Sequence, residues 1–233
     1  MHPLRTVITT VAAAVVALMA ATTVVGAPGA VASPGDGTGA LPTLTELRSA
    51  RIKLSDLPGD YRRDLSEDSD SSSTSTSTDP GCTAKLEELN SSNPDTAPRT
   101  VKKAFRLDKV TGPFVESSLR AWRTKAPAVK GIATIRSLLR ACDRWTETDV
   151  DGTTAAVRLT RLPMPALGNE RVAFRARFTV EQGEFVIVAH ADFAVVRVQN
   201  AVTFVTVLGF GPSRGVDLVD LTRLSTNRLE AVV

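Results

Sequence analysis

The residues with the most chemical potential sit close together in the second half of the chain. Arg171, Arg175 and Arg177 lie in RVAFRAR, and His190 and Asp192 lie in VIVAHADF. Along a β-strand, residues two apart point to the same face. The three arginines therefore predict a basic strand face whose guanidinium forks would meet phosphate or carboxylate groups. The competing reading is a solvated face whose arginines pair with Glu181, Glu184 or Asp192. His190 and Asp192 share a face by the same rule, so the carboxylate would raise the imidazole pKa and the pair would polarise a serine.

Other chemistry finds less support. The chain has two histidines; His2 falls in the N-terminal leader, which leaves His190 as the one available base. The Gly-x-Ser-x-Gly spacing occurs at Gly211–Gly215, within GFGPSRG. The expectation is that the protein is not an enzyme. In that case His190 and Asp192 form a polar spot on a concave sheet face or a buried, satisfied pair. One histidine and scattered acids do not make a metal site, so neither metal nor cofactor is expected. Glu147, Asp149 and Asp151 stand beside Gly152 and read as turn residues, not as paired glycosidase acids. The glycine-rich GFGPSRG (209–215) lacks the Gly-Lys-Ser/Thr ending of a phosphate loop.

These residues must be positioned by the stretch Arg171–Leu208, where three Val-, Phe- and Thr-rich runs are separated by Gln182-Gly183 and Gln199-Asn200. That pattern predicts an antiparallel meander. In its first run Val172, Phe174, Ala176, Phe178 and Val180 form a core face, and the arginines occupy the other. Its second run, Phe185–Val198, is apolar on both faces towards its ends, so it is expected to be central and covered on both sides.

Further strands are predicted over residues 101–107, 115–121 and 153–162. A helix over Ala128–Cys142 follows from the stripe Val129, Ile132, Ile135, Leu138, Leu139 and Cys142, with Pro127 near its start. Trp145, just beyond, is expected to pack on the sheet. A short helical turn and an extended piece are expected over Leu44–Leu57, a short helix or turn over Cys82–Asn90, and a closing amphipathic helix over 216–233 using Leu218, Leu221, Leu224 and Leu229. The expected fold class is α+β, an antiparallel sheet of about six strands with two main helices packed on it.

Composition sets the outer limits. The 233 residues are 42% hydrophobic and 23% charged, enough for one domain with a core. The net charge of +3 is spread without any Lys/Arg run, which argues against a nucleic-acid partner. Arg5, the apolar stretch Val7–Val25 and Ala30-Val31-Ala32 together read as a secretory signal peptide over residues 1–32. Retention of that stretch as an anchor is the alternative; no cysteine near the cleavage site offers a lipid anchor. A linker at 33–43 precedes a single domain over 44–233. Within it, DLSEDSDSSSTSTSTDP (about 64–80) cannot bury apolar area and is expected as a disordered loop. Its acids and hydroxyls offer Ca²⁺ or glycan attachment as the less favoured use. In an exported chain Cys82 and Cys142 are expected to form a disulfide. Free thiols or a metal site are the alternatives, and neither cysteine has a second Cys or a His nearby.

A resemblance follows from LSDLPGDY (Leu54–Tyr61), RACDRW (Arg140–Trp145), VRLTRLPMPALGNE (Val157–Glu170) and VVRVQNAVTFV (Val195–Val205), in that order. Over most of 44–230 the chain resembles actinobacterial secreted and lipid-anchored proteins similar to the extracellular sensor domain of mycobacterial serine/threonine protein kinase H. The resemblance implies an α+β extracellular domain, a helix tied by a disulfide in which Cys142 matches the helix-end cysteine and Cys82 its partner, and a cleft for an unknown ligand. Members often carry a second disulfide, for which this chain has no cysteines, and it has neither kinase domain nor lipobox cysteine. The expected function is a secreted, non-enzymatic ligand-binding or sensor-like domain of the cell envelope. It would be a monomer that takes a small molecule or envelope component through Arg171, Arg175, Arg177, His190 and Asp192, with no nucleic acid and no stable membrane insertion after signal cleavage. A structural or protein-interaction module is the alternative, and a hydrolase using His190 the third.

Overall fold

A computed structural model describes residues 41–64, 76–77, 79–91, 99–108, 111–148, 154–182, 185–210 and 216–233. The signal segment, residues 33–40 of the linker, Glu184 and the GFGPSRG loop beyond Phe210 lie outside the described residues. The elements in chain order are α1 (Leu44–Ala50), a 3-10 turn (Leu54–Asp56), β1 (Arg62–Arg63), β2 (Thr76–Ser77), α2 (Pro80–Ser91), β3 (Arg99–Arg106), β4 (Phe114–Ala121), α3 (Ala126–Ala141), β5 (Arg144–Thr148), β6 (Thr154–Arg161), β7 (Glu170–Gln182), β8 (Phe185–Val198), β9 (Ala201–Gly209) and α4 (Leu218–Glu230).

The strands form one antiparallel sheet in the order β1-β3-β4-β9-β8-β7-β6-β5-β2. The α+β class stands, but the expectation of six strands and two helices was too small. Two-residue strands carry no periodicity, and β5 was hidden because RWTET follows a helix without a turn signal. Glu147, expected in a loop, sits in β5 opposite Ala155. Part of the Ser/Thr-rich segment is likewise ordered: Thr76–Ser77 pairs with β5, and Pro80 opens α2.

The two faces of the sheet are covered over different halves. On the first face, α2 and α3 lie over β5–β8. Ile132, Ile135 and Leu138 of α3 pack with Trp145, Val157, Phe174, Phe178, Phe193 and Val195 in one buried cluster. Phe174 and Phe193, paired across β7 and β8, stack with centroids 4.7 Å apart. Val129 was expected in this stripe but is exposed; Ala128, one position earlier, takes the buried place. A disulfide joins Cys82 in α2 to Cys142 at the end of α3, with Cα atoms 5.3 Å apart. Closing a loop of sequence separation 60 stabilises the fold by about 4 kcal/mol on the chain-entropy account.

On the second face, α1 and α4 lie over β3, β4, β9 and one end of β8. Leu47 and Leu229 meet Val101, Leu119 and Val196, while Leu218 and Leu221 meet Phe105, Val115, Ala194 and Val205. The α4 stripe differs from the leucine pattern. Leu224 is only half-buried, and Thr222, Ser225 and Thr226 are fully buried instead. Small hydroxyl residues let the helix come close to the sheet, where two of the three hydroxyls find partners and Thr226 Oγ1 has none among the described residues. Ser225 Oγ meets Thr203 Oγ1 at 2.8 Å, and Thr222 Oγ1 donates to the Leu218 carbonyl. Arg228 then clamps the helix end, giving two hydrogen bonds to the Asp56 carboxylate at 2.6 and 2.9 Å.

β8 is central, as its two apolar faces predict. Its far turn is fixed by Gly168 (φ +54), where an added Cβ would collide with the Arg197 carbonyl. That close approach lets Asn169 accept from the Gln199 backbone N–H at 2.6 Å.

Candidate functional site

Among the described residues, no helix covers the second face over β5, β6, the Arg175–Thr179 part of β7 and the near end of β8, where Arg144, Arg158, Arg175, Arg177 and Val188 are exposed. Register decides what stands there. Arg144 of β5 opposes Arg158 of β6, Arg158 opposes Arg177 of β7, and Arg177 opposes His190 of β8. Four basic side chains therefore form one row across four strands. The next row on one side runs Thr146, Ala156, Thr179, Val188. The next on the other side runs Thr160, Arg175, Asp192, Val207.

Each expected site residue now has a place. Arg175, Arg177, His190 and Asp192 come together on this face. Arg171 does not join them: it lies four residues up β7, roughly 13 Å along the strand, where its Nε donates to the Met164 carbonyl. Arg175 is closed by Asp192. Its Nε and Nη2 give two parallel hydrogen bonds to the carboxylate at 2.5 and 2.7 Å, which raises the Arg175 pKa above its ordinary value.

This pairing corrects the expected His190–Asp192 couple. Asp192 spends its oxygens on Arg175, and His190 makes no side-chain hydrogen bond among the described residues. Burial pushes the His190 pKa down; the Asp192 charge opposes that and the Arg175 charge adds to it, and the net shift is downward. His190 is thus held neutral, opposite to the expected direction, because desolvation outweighs its carboxylate neighbour.

Arg177 differs from Arg175 although it stands two residues away on the same face. It is exposed, as is Arg158, and neither makes a side-chain hydrogen bond or ion pair among the described residues. Arg144 has a loose contact with Asp143 at 3.5 Å, both side chains being largely exposed. The three arginines border a recess of about 490 Å³ whose floor includes Thr146, Ala156 and Thr179. Asp79 stands at its rim, its Oδ1 accepting from the Gly81 and Cys82 backbone N–H groups and so capping α2.

Arg144 and Arg158 escaped the sequence reading. The alternation in TAAVRLTR does turn Arg158 away from the core, but only strand register sets it beside Arg177. Among the described residues no group of three His, Cys, Asp or Glu is placed to hold a metal ion, and no helix is long and apolar enough to cross a membrane.

No protein-family profile matches the chain, and no curated protein matches it. Among solved structures it is similar to the extracellular domain of PknH from Mycobacterium tuberculosis, with a TM-score of 0.51 and 14% sequence identity. The match covers 82% of this chain and 96% of that one. At that identity the likeness establishes the fold: an α+β, largely antiparallel arrangement of the kind seen in a kinase's extracellular domain.

Proposed function

We propose that the chain is a secreted, non-enzymatic ligand-binding or sensor-like domain of the actinobacterial cell envelope, whose ligand meets the bare half of the second sheet face. The observation that carries the reading is the diagonal cover. The sheet is braced on one face by a disulfide-tied helix pair and on the other by α1 and α4, so a basic, solvent-facing quarter with a recess is left on a stiff support among the described residues. Binding groups held on strands keep their geometry better than groups on loops. The disulfide and the likeness to an extracellular domain support an exported location.

Native mass spectrometry of the protein recovered from its own secretions tests this. A retained component is expected, and it should be lost from a variant carrying Arg177→Gln with His190→Ala that keeps its circular dichroism. Equal retention by that variant would overturn the reading.

A protein-interaction role has one observation in its favour: Val186 and Val188, on the same face beyond the basic row, are 62% and 37% exposed. A cross-linked protein partner lost on Val186→Asp, with no small molecule retained, would select it.

A further inference from the structure

The row Arg144–Arg158–Arg177 says more about the ligand than that it is anionic. Side chains directly opposite on antiparallel strands hold their Cβ atoms about 4.5–5.5 Å apart, and like charges there repel. Three guanidiniums in successive opposition are therefore unfavourable for the isolated fold. The protein shows how such a charge is ordinarily neutralised, since Arg175 in the adjacent row receives the whole carboxylate of Asp192. In the arginine row nothing comparable is supplied to Arg158 or Arg177 among the described residues. Among the described residues, Asp79 caps α2, the Asp143 side chain meets Arg144 at 3.5 Å, and Glu181 lies four residues along β7 from Arg177, toward the hairpin.

The recess fits this charge. Its lining includes the row of small side chains Thr146, Ala156 and Thr179, so the arginines stand beside a hollow. A single carboxylate would occupy one guanidinium fork and leave the repulsion of the other two. Guanidinium forks match phosphoryl oxygens in pairs, and a ligand bearing several phosphoryl groups close together would engage the row at once.

We propose that this recess binds a compact, multiply phosphorylated soluble ligand, with Arg158 and Arg177 as the central contacts and Arg144 as the outer one. The proposal rests on the bare face being the binding surface and specifies the class of ligand it takes.

Isothermal titration calorimetry of the full chain with sodium tripolyphosphate and with inositol hexakisphosphate tests it. Both are expected to bind. Arg158→Gln with Arg177→Gln should weaken them about ten-fold or more, Arg144→Gln should weaken them less, and Arg171→Gln should leave them unchanged. Since the double variant removes like-charge repulsion, its melting temperature should hold or rise, which separates lost binding from lost folding. Undiminished binding by the double variant would overturn the site. Equal or tighter binding of trigalacturonate, or of phosphatidylglycerol vesicles, would overturn the compact phosphate class in favour of a polyuronate or a membrane surface. If no phosphate probe binds while the secreted component is still captured through Arg177 and His190, the ligand class is wrong and the binding face survives. If that capture also ignores these residues, both are wrong.

Discussion

Two parts of the same sheet face meet water in opposite ways. Over β3, β4, β9 and the end of β8 the face is Phe105, Val115, Leu119, Val196 and Val205, roofed by α1 and α4. Over β5, β6 and the Arg177–Thr179 part of β7 it is Arg144, Arg158, Arg177 and small residues, with no helix above among the described residues. The roofed part also satisfies its charges internally: Arg228 is matched to Asp56, and Arg175, at the boundary, to Asp192. The open part leaves Arg158 and Arg177 without such partners among the described residues. Stability is concentrated where the face is covered, and the uncompensated charge is concentrated where it is not.

The comparison breaks most visibly if the support is removed from beneath the open part. Replacing Cys82 and Cys142 together by serine should cost about 4 kcal/mol, measured by urea denaturation. A loss below about 1 kcal/mol would mean that packing of α3 on the sheet holds the first face unaided.

Next in size is the roof itself. Leu229→Ala empties a fully buried site between Leu47, Leu119 and Val196 and should cost about 3 kcal/mol, with faster hydrogen exchange in α4 than in α3. A uniform change across both helices would show the two covers to be one cooperative unit.

The Asp56–Arg228 clamp sharpens the contrast through pH. Hydrogen bonds from Arg228 hold the Asp56 carboxyl below its ordinary range, and burial opposes this only in part. A carboxylate whose folded pKa is depressed adds stability above the unfolded pKa, near 3.9, and that stability is lost as pH falls through the lower folded value. Asp56→Asn should therefore destabilise at neutral pH, by about 1.5–3 kcal/mol, and flatten the acid limb of the melting curve. An acid limb as steep in the variant as in the parent would place the sensitivity elsewhere.

The smallest effect has the opposite sign. Arg158→Gln with Arg177→Gln should stabilise by about 0.2–1 kcal/mol through relief of cross-strand repulsion, and the gain should shrink at high salt. Destabilisation instead would mean that their aliphatic stems pack on the sheet and that the open part contributes to the fold.

How far the chain could be read follows from where the information is stored. The alternation of Val172, Phe174, Ala176, Phe178 and Val180 against Arg171, Arg175 and Arg177 is local, so the core face and the basic face of β7 were legible from the sequence. So were the central place of β8, the α3 stripe apart from Val129, and the Cys82–Cys142 pair; the expected cover of β8 on both sides fails at its near end, where Val186 and Val188 are exposed. The α4 contact was misread because buried Thr222, Ser225 and Thr226 look polar on any hydropathy scale. Of the candidate residues, Arg175, Arg177, His190 and Asp192 stand together on one face and Arg171 stands apart from them, while the place of Arg144 and Arg158 beside Arg177 has no signal in the local sequence.

The sequence by itself determined which side chains leave the core, because a two-residue period is a property of one strand alone. Only the tertiary structure decided who stands opposite whom. Strand register made Asp192 the partner of Arg175 and not of His190, and it set Arg144, Arg158 and Arg177 in line. Helix placement decided which half of that face is roofed. Both depend on contacts between residues far apart in the chain, and no local pattern carries them.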